Sequence, residues 1–506
     1  MITFKNFTGE KLHHWDVEPE IFQKNAQDVV NWIAQYLENM DNYPVLAQTK
    51  PGEIKSQLPK SPPQKPESFD QILSDFDQII IPGITHWNHP RFFAYFSITG
   101  SYPGIIGELL SSALNVNAML WKTSPSATEL EEIVLDWLRQ MLGLPEDFDA
   151  VINDTASVGS LCAMAAAREF AELDIRKHGL TGRNDLPQLR MYTSDQAHSS
   201  IEKAAIVLGI GQENIRKIPS DELYRMDARE LEAAIRDDIE RGMKPICVIA
   251  TIGTTSTTSI DPVAEIAAIC QQYQIWLHVD AAYGGSAAVI PEMRHLFKGW
   301  DKADSIIVNP HKWLFTPIDC SVLFCRRPEV LKQAFSLTPE YLRTAEADEV
   351  KNYMEYGVAL GRRFRSLKLW MIIRSLGTEK IINIIREHIS FAQKLADMIQ
   401  EHPNFELLAP VPFSTLVFRF VPEKKSDESE INDLNEKLLE EINRTGKVFL
   451  SHTKLRGKFG IRLAIGNIKT TWEDVAMAWE IIREKAEGLG NWVIGGLGNR
   501  GNKVIG

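Results

Sequence analysis

The sequence predicts an α/β protein with a large, mostly parallel sheet, a helical segment before it and a small α/β unit after it. Three observations carry this expectation. Short apolar runs at Lys244–Ile249, Ile275–Val279 and Ser305–Val308 have the length of buried strands, and helical stretches separate them. Each run is followed by residues suited to a site: TIGTTSTTS, then Asp280 with small residues beside it, then Asn309 to Trp313. At 506 residues and 44% hydrophobic content, the chain can bury one large core and two smaller ones.

Taken in order, the chain begins with an amphipathic helix over Pro19–Met40, where Val29, Ile33, Leu37 and Met40 recur at helical spacing. Pro51, Pro59, Pro62, Pro63 and Pro66 then exclude both a long helix and a central strand. Such an arm either stays mobile or wraps another surface. Thr85–Pro103 is dense in aromatic side chains. Glu129–Leu142 reads as a helix stopped by Gly143. Val151 and Ile152 form a strand, followed by a turn and a helix from about Val158 to Phe170. Thr155, Ala156 and Ser157 place backbone N–H groups and hydroxyls at that helix start, where a phosphate binds by geometry and dipole together. Tyr192 and Thr193 end a strand, and a helix over Ser200–Leu208 leaves His198 at the junction. Asp261 is expected to cap a helix that starts at Pro262.

Phe335–Gly357 is charged and weakly periodic, a surface loop with a short helix. From Leu360, arginines alternate with Phe364, Leu367, Leu369 and Trp370, a helix suited to packing between domains. A further helix spans about Glu379–Gln400. Strands Leu416–Val421, Val448–Leu450 and Gly460–Ile465 then alternate with helices near Glu430–Asn443 and Thr471–Glu484. Arg462 falls inside the last strand, where an unpaired charge is costly. The glycine-rich end, from Gly488, is too rich in glycine for a regular helix.

Charge and composition exclude several classes. With 55 basic and 67 acidic residues the formal net charge is −12, which gives no electrostatic case for nucleic acid or an anionic membrane. No apolar run approaches the ~20 residues of a membrane span, and the first residues lack a secretory apolar segment. A cytoplasmic protein is expected. The five cysteines form no CxxC pair, which argues for buried thiols in a reducing compartment, with no disulfide framework and no metal site.

The chemistry centres on Lys312 and Asp280. A lysine at the mouth of a strand is oddly placed for structure, and a second strand delivers an acid at its carboxyl end, where α/β sheets build sites. The pair suits pyridoxal phosphate: the aldehyde needs a lysine amine, and the pyridine nitrogen needs a carboxylate to stay protonated. NPHKW followed by DCS, together with HVDAAYGGSA, resembles the group II pyridoxal phosphate decarboxylases of fold type I, closest in pattern to aromatic L-amino acid decarboxylases. THWNHPRFFAYF, SPSATELE, SDQAHSSIEKA, TIGTTSTTSID and LGRRFRSLKLW extend the resemblance over roughly Gly9–Glu487.

The resemblance implies a role for each site residue. Lys312 carries the cofactor and Asp280 pairs with its ring nitrogen. His198 stacks on one ring face and Ala282 lies against the other. Ala156 and Ser157 hold the phosphate, although Val158 stands where the family usually has an acid. Thr255, Asn309 and His311 also fall on cofactor-proximal positions. Trp87, Tyr95 and Phe96 match the substrate side-chain pocket. Ile98 replaces a usual threonine there and removes a hydroxyl that could meet a catechol. Tyr353 matches the proton-donating tyrosine of a loop that closes over the site, often that of the neighbouring subunit. Arg462 matches an arginine near the entrance, with a structural ion pair as the alternative.

The implied assembly is a homodimer in three parts. These are an N-terminal arm and dimerisation segment over 1–84, a cofactor domain over 85–385 and a small domain over 386–506. The implied reaction is decarboxylation of a small-molecule aromatic L-amino acid to the arylalkylamine. An aldehyde synthase of the same family is one alternative, against which stand Tyr353 and His198. A decarboxylase of acidic substrates is another, disfavoured by Trp87, Tyr95 and Phe96. A non-catalytic scaffold on the same fold should have lost Lys312 or Asp280, and neither is lost.

Overall fold

The computed structural model describes residues 18–337, 342, 346, 349–423 and 427–498. The chain divides into two compact units, with the break between His89 and Pro90. In the first unit the opening helix runs Pro19–Glu38, with proline at its first turn, where a missing N–H costs nothing. Trp32 and Tyr36 stack at 5.2 Å, and the Tyr36 hydroxyl meets His86 Nδ1 at 2.8 Å. The proline-rich stretch forms one five-residue helix, Glu53–Gln57. A helix over Phe69–Asp75 follows, capped where the Ser68 side chain accepts from Gln71 N.

The second unit holds two sheets. The large one contains β1 (Asp149–Asn153), β2 (Leu189–Ser194), β3 (Ile215–Ile218), β4 (Lys244–Thr251), β5 (Trp276–Asp280), β6 (Ser305–Val308) and β7 (Ser321–Cys325). Their order is β1-β7-β6-β5-β4-β2-β3. The pairs from β3 through β6 are parallel, and only β7 runs antiparallel to its neighbours β6 and β1. All residues of β5, β6 and β7 are buried, the near-continuous apolar pattern of a sheet covered on both faces. One covering helix is Ala156–Phe170. Its Gly159 lies so near β6 that an added Cβ would meet Ile307 Cδ1 at 2.3 Å.

The smaller sheet contains β8 (Phe405–Leu407), β9 (Thr415–Phe420), β10 (Ser451–Leu455) and β11 (Lys458–Ala464). It is antiparallel throughout, in the order β10-β11-β9-β8. Helices Glu428–Arg444 and Trp472–Gly498 accompany it. The helix Arg365–Glu401 joins both cores and kinks at Gly377, whose φ is +69°. Its residues up to Ile389 pack with the large sheet, and those from Ala392 pack with the small one.

Three local expectations are corrected. Asp261 does not cap a helix. The helix begins at Val263 without a side-chain cap, because the Asp261 carboxylate turns inward to accept from Met226 N and Thr251 N, each at 2.7 Å. Val448–Leu450 is not a strand of the small sheet; Phe449 makes one isolated bridge to Phe92, and the strand starts at Ser451. The expected break before Glu379, by contrast, is present: Gly377 has a non-helical backbone that divides the stretch into two helices across a kink. The last helix continues through Gly488 and Gly490 to Gly498, since glycine costs a helix only about 1 kcal/mol per residue. The rest of the glycine-rich tail lies outside the described residues.

Candidate active site

The carboxyl ends of β1, β2, β4, β5 and β6 lie along one edge of the large sheet, and the loops that leave them surround a cavity of about 200 Å³. That is small beside the ~300–1,000 Å³ of most ligand pockets, and leaves room for a single substituted ring. Phe96, Ala156, Ser157 and His198 line it, with Thr255, Asp280 and Ala282. Asn309, His311 and Lys312 complete the expected set there.

Each residue arrives for a local reason. Asp280 is the last residue of β5, and its Oδ1 accepts from Ala282 N at 3.1 Å, which holds the carboxylate at the strand end. Asn309 follows β6, and its Oδ1 accepts from the Ser321 hydroxyl at 2.6 Å. Pro310 then opens a one-turn helix, Pro310–Trp313, which swings Lys312 back to the cavity. His311 Nδ1 accepts from Cys320 N at 3.0 Å. His198 Nδ1 accepts from Ser200 N at 3.2 Å, fixing the ring at the start of the next helix. Gly253 has φ +90°, and a Cβ there would meet Gly284 N at 2.9 Å, so the turn after β4 requires glycine.

Two aromatic stacks brace the lysine. Phe96 lies on Tyr283 with ring centres 3.8 Å apart, and Tyr283 lies on Trp313 at 4.7 Å. Trp313 Nε1 donates to His388 Nδ1 at 3.0 Å, and Tyr283 Oη meets Ser414 Oγ at 2.6 Å. The residue next to Lys312 is thereby tied to the long helix and to the loop before β9.

Electrostatics favour a reactive amine. Burial lowers the Lys312 pKa, Asp280 draws it back up and Arg462 pushes it down. Burial also lowers His198, with Asp280 opposing and Lys312 adding to the effect. Arg462 is buried at 3% exposure, and burial brings its pKa down to about 10. Its Nη1 donates to the Tyr95 carbonyl and its Nε to the Ser256 carbonyl. Its Nη2 has no partner among the described residues, and neither does the buried Thr251 hydroxyl in the cavity wall.

These features fit pyridoxal phosphate. The helix Ala156–Phe170 starts without a side-chain cap, which leaves its first N–H groups for a phosphate. The amine, the acid and the unpartnered Thr251 hydroxyl supply the remaining polarity for a ring with ionisable substituents.

Other expected residues stand elsewhere. Tyr95 has φ +51°, a left-handed backbone that turns its side chain outward to 55% exposure. Ile98 is half-buried, and neither residue lines the cavity. Trp87 belongs to the N-terminal unit. Tyr353 is buried beneath the Arg362 guanidinium, 4.7 Å from its ring centre, away from the cavity lining. Thr251, Gly253, Ser200 and Tyr283 line the cavity without having been singled out. The available signal for Thr251 was its place before Gly253, but β4 was expected to stop at Ile249.

Comparison with known proteins assigns the chain. Residues 51–421 match the model of the pyridoxal-dependent decarboxylase conserved domain. Tyrosine decarboxylase 3 of Petroselinum crispum is 39% identical over 501 residues, covering 96% of this chain and 96% of that protein. A phenylacetaldehyde synthase of a Rosa hybrid cultivar is 40% identical over 489 residues, covering 94% and 95%. The crystal structure of Oryza sativa TDC with PLP and tryptamine superposes with a TM-score of 0.91 at 35% identity, covering 94% of this chain and all of that one. The fold is that of the fold type I enzymes, and Lys312 and Asp280 meet in a cavity of the right size and polarity. This chain belongs to the pyridoxal-dependent decarboxylase family of lyases.

Proposed function

We propose that this protein decarboxylates an aromatic L-amino acid, releasing carbon dioxide and the arylalkylamine. The observation that carries the reading is the convergence of Lys312 and Asp280 on one small cavity beside an uncapped helix N-terminus. The substrate class is supported by relatives named for tyrosine decarboxylation and phenylacetaldehyde synthesis.

When bound, pyridoxal phosphate supplies the aldehyde that takes the amino group and the ring that draws off the electron pair left by carbon dioxide. Lys312 would hold it, with an amine whose proton affinity burial has lowered. Asp280 would be the acid for its ring nitrogen. The N–H groups of Ala156 and Ser157 would take its phosphate, with Thr255, Asn309 and His311 beside them in the cavity wall. His198 and Ala282 would stand on either side of it. The protein's contribution would be orientation, since the way the site holds the substrate decides which bond at its α-carbon breaks.

Phe96, with Tyr95 and Trp87 on its flanks in sequence, is assigned to the substrate side chain. Ile98 lies outside the cavity lining but stands where the family resemblance puts a hydroxyl that could meet a catechol, and on that resemblance tryptophan or phenylalanine is preferred over dopa. Tyr353 is the proton donor to the substrate carbon, delivered by movement of its loop.

The working unit is a homodimer in the cytoplasm. The helix Tyr102–Leu114 leaves Tyr102 66%, Leu109 54% and Leu114 58% exposed, an apolar row suited to a second copy. All five cysteines are free and buried, in keeping with a reducing compartment. Among the described residues no helix is long and apolar enough to cross a membrane.

The test is a panel of aromatic, acidic and imidazole L-amino acids assayed for carbon dioxide, amine, aldehyde and peroxide. Stoichiometric carbon dioxide and amine from an aromatic substrate are expected. Glutamate turning over faster than every aromatic substrate would reject the assignment. A second reading, aldehyde synthesis, is favoured by the rose relative, and aldehyde with peroxide as the main products would establish it instead. Sedimentation at micromolar concentration tests the dimer, and a fully active monomer would defeat it.

A further inference from the structure

Beneath the cavity, a fully buried hydrogen-bond chain joins the three elements that deliver the cofactor contacts. Trp276 Nε1 donates to Ser305 Oγ at 2.9 Å. Ser305 Oγ lies 2.9 Å from His278 Nδ1, and His278 Nε2 lies 3.1 Å from Ser160 Oγ. All four residues are 0% exposed.

The placement follows from periodicity. His278 stands two residues before Asp280 on β5, so both side chains leave the same face of the sheet. His278 and Ser305 are register partners across β5 and β6, and β6 leads into the turn that carries Lys312. Ser160 lies one helical turn beyond Ala156, on the same side of the helix. One imidazole therefore touches the strand of the acid, the strand of the lysine and the helix of the phosphate.

Proton count sets what the chain must supply. Burial holds the His278 pKa down to about 4, so the ring is neutral and has one proton for two nitrogens. Indole N–H can only donate, which occupies one acceptor site of Ser305 and leaves its second lone pair and its own proton for His278 Nδ1. Ser305 and Ser160 are both hydroxyls, so one donates to the bare ring nitrogen and the other accepts from the ring N–H. Removing one member of the chain strands a polar partner in an apolar core.

We propose that His278 is a positioning residue for the cofactor: through Ser305 and Ser160 it fixes the spacing between Asp280, Lys312 and the phosphate-facing helix start. The inference rests on the pyridoxal phosphate reading of the cavity. It predicts that breaking the chain loosens the cofactor and alters its surroundings while the fold persists.

The experiment titrates the full-length apoprotein with pyridoxal phosphate and follows affinity by tryptophan fluorescence. The visible band of the loaded form and the thermal midpoint of the apo form are recorded alongside. His278→Gln keeps an amide N–H near the Nε2 position, and His278→Leu keeps only bulk. The Leu variant should lose about tenfold or more in cofactor affinity, the cost of stranding one buried polar partner, and shift the visible band. The Gln variant should stay within about threefold of wild type, since its amide offers Ser160 a donor or an acceptor. Ser160→Ala, a mild change inside a helix, should weaken binding by about threefold or more and covers the case in which the Leu variant fails to fold. Unchanged affinity and spectrum in a folded His278→Leu or in Ser160→Ala would overturn the proposal. Equal losses in the Leu and Gln variants would overturn it too, by making ring packing the cause. Wild type that fails to bind pyridoxal phosphate would instead defeat the cofactor reading, before any variant is compared.

Discussion

The Phe96 ring lies on the Tyr283 ring with centres 3.8 Å apart and planes 18° from parallel. That face of Phe96 is filled, so the cations that sit over the ring, Lys312 Nζ at 5.1 Å and Arg462 at 4.4 Å, share the opposite face. Phe96 is thus as much a platform for the lysine as a wall for a substrate. The ring quadrupole favours the ammonium form. Phe96→Leu should lower the Lys312 pKa by about 1.5 units, the scale of a ~2 kcal/mol desolvated cation–π contact. The rate of pyridoxal phosphate capture against pH should shift to lower pH by that amount, and an unmoved profile would remove the platform role.

Lys312 is the lysine whose amine faces the cavity acid. The loaded protein, reduced with borohydride and digested, should carry the phosphopyridoxyl mass on the peptide containing Lys312, and label on another lysine would refute the assignment. Asp280→Asn keeps the shape of the side chain and removes its charge. Turnover should fall about 10²-fold or more, the scale of losing one preorganised electrostatic partner, with the apo thermal midpoint little changed. Near-normal turnover in a folded, loaded variant would contradict the role of Asp280.

Acid should weaken the apo fold through buried histidines. Burial holds His278, His311 and His388 down to about 4 each, against about 6.5 in the unfolded chain. Between these values the unfolded chain binds protons that the native one refuses. Stability is therefore present above about pH 6.5 and lost as pH falls toward 4. Asp261 acts the other way, since burial raises its pKa to about 7; its contribution is complete below the ordinary carboxylate value and is lost as pH rises through about 7. Three groups outweigh one, so urea midpoints should fall from pH 6.5 to 4.5. His388→Gln should make that fall shallower, and a flat profile in wild type would show that the histidines do not control it.

What was legible in the sequence depended on how locally a residue is placed. Asp280 and Lys312 each follow a short apolar strand directly, and Ser157 begins a helix directly, so strand-end and helix-start rules located them. Thr251 was missed because β4 runs two residues beyond its apolar run, and polar strand ends carry no periodic signal. Asp261 has the spacing of a helix cap, but two backbone N–H groups from other elements compete for its carboxylate and win. Tyr95 and Phe96 are neighbours in one aromatic run, and only the left-handed backbone at Tyr95 sends one outward and the other in. The break at Gly377 was legible, because a glycine between two helical patterns takes the positive φ that a side chain disfavours.

Tyr353 supplies the sharpest separation of stability from chemistry. It is 2% exposed, and its hydroxyl has no hydrogen-bond partner among the described residues. Burial raises its pKa well above the ordinary phenol value, and Glu131, Glu132 and Asp149 add to the effect. Removing a stranded hydroxyl relieves a desolvation cost of about 1–3 kcal/mol, so Tyr353→Phe should leave the thermal midpoint unchanged or raise it. Its role as proton donor predicts the opposite for turnover. Amine formation should collapse, because phenylalanine has no proton to give the substrate carbon, and any residual reaction with oxygen should appear as aldehyde and peroxide. Both measurements on one preparation decide the matter. A variant of equal or greater stability that makes no amine places Tyr353 in the chemistry, whereas unchanged amine formation removes it from the mechanism even if the aromatic substrate class proves right.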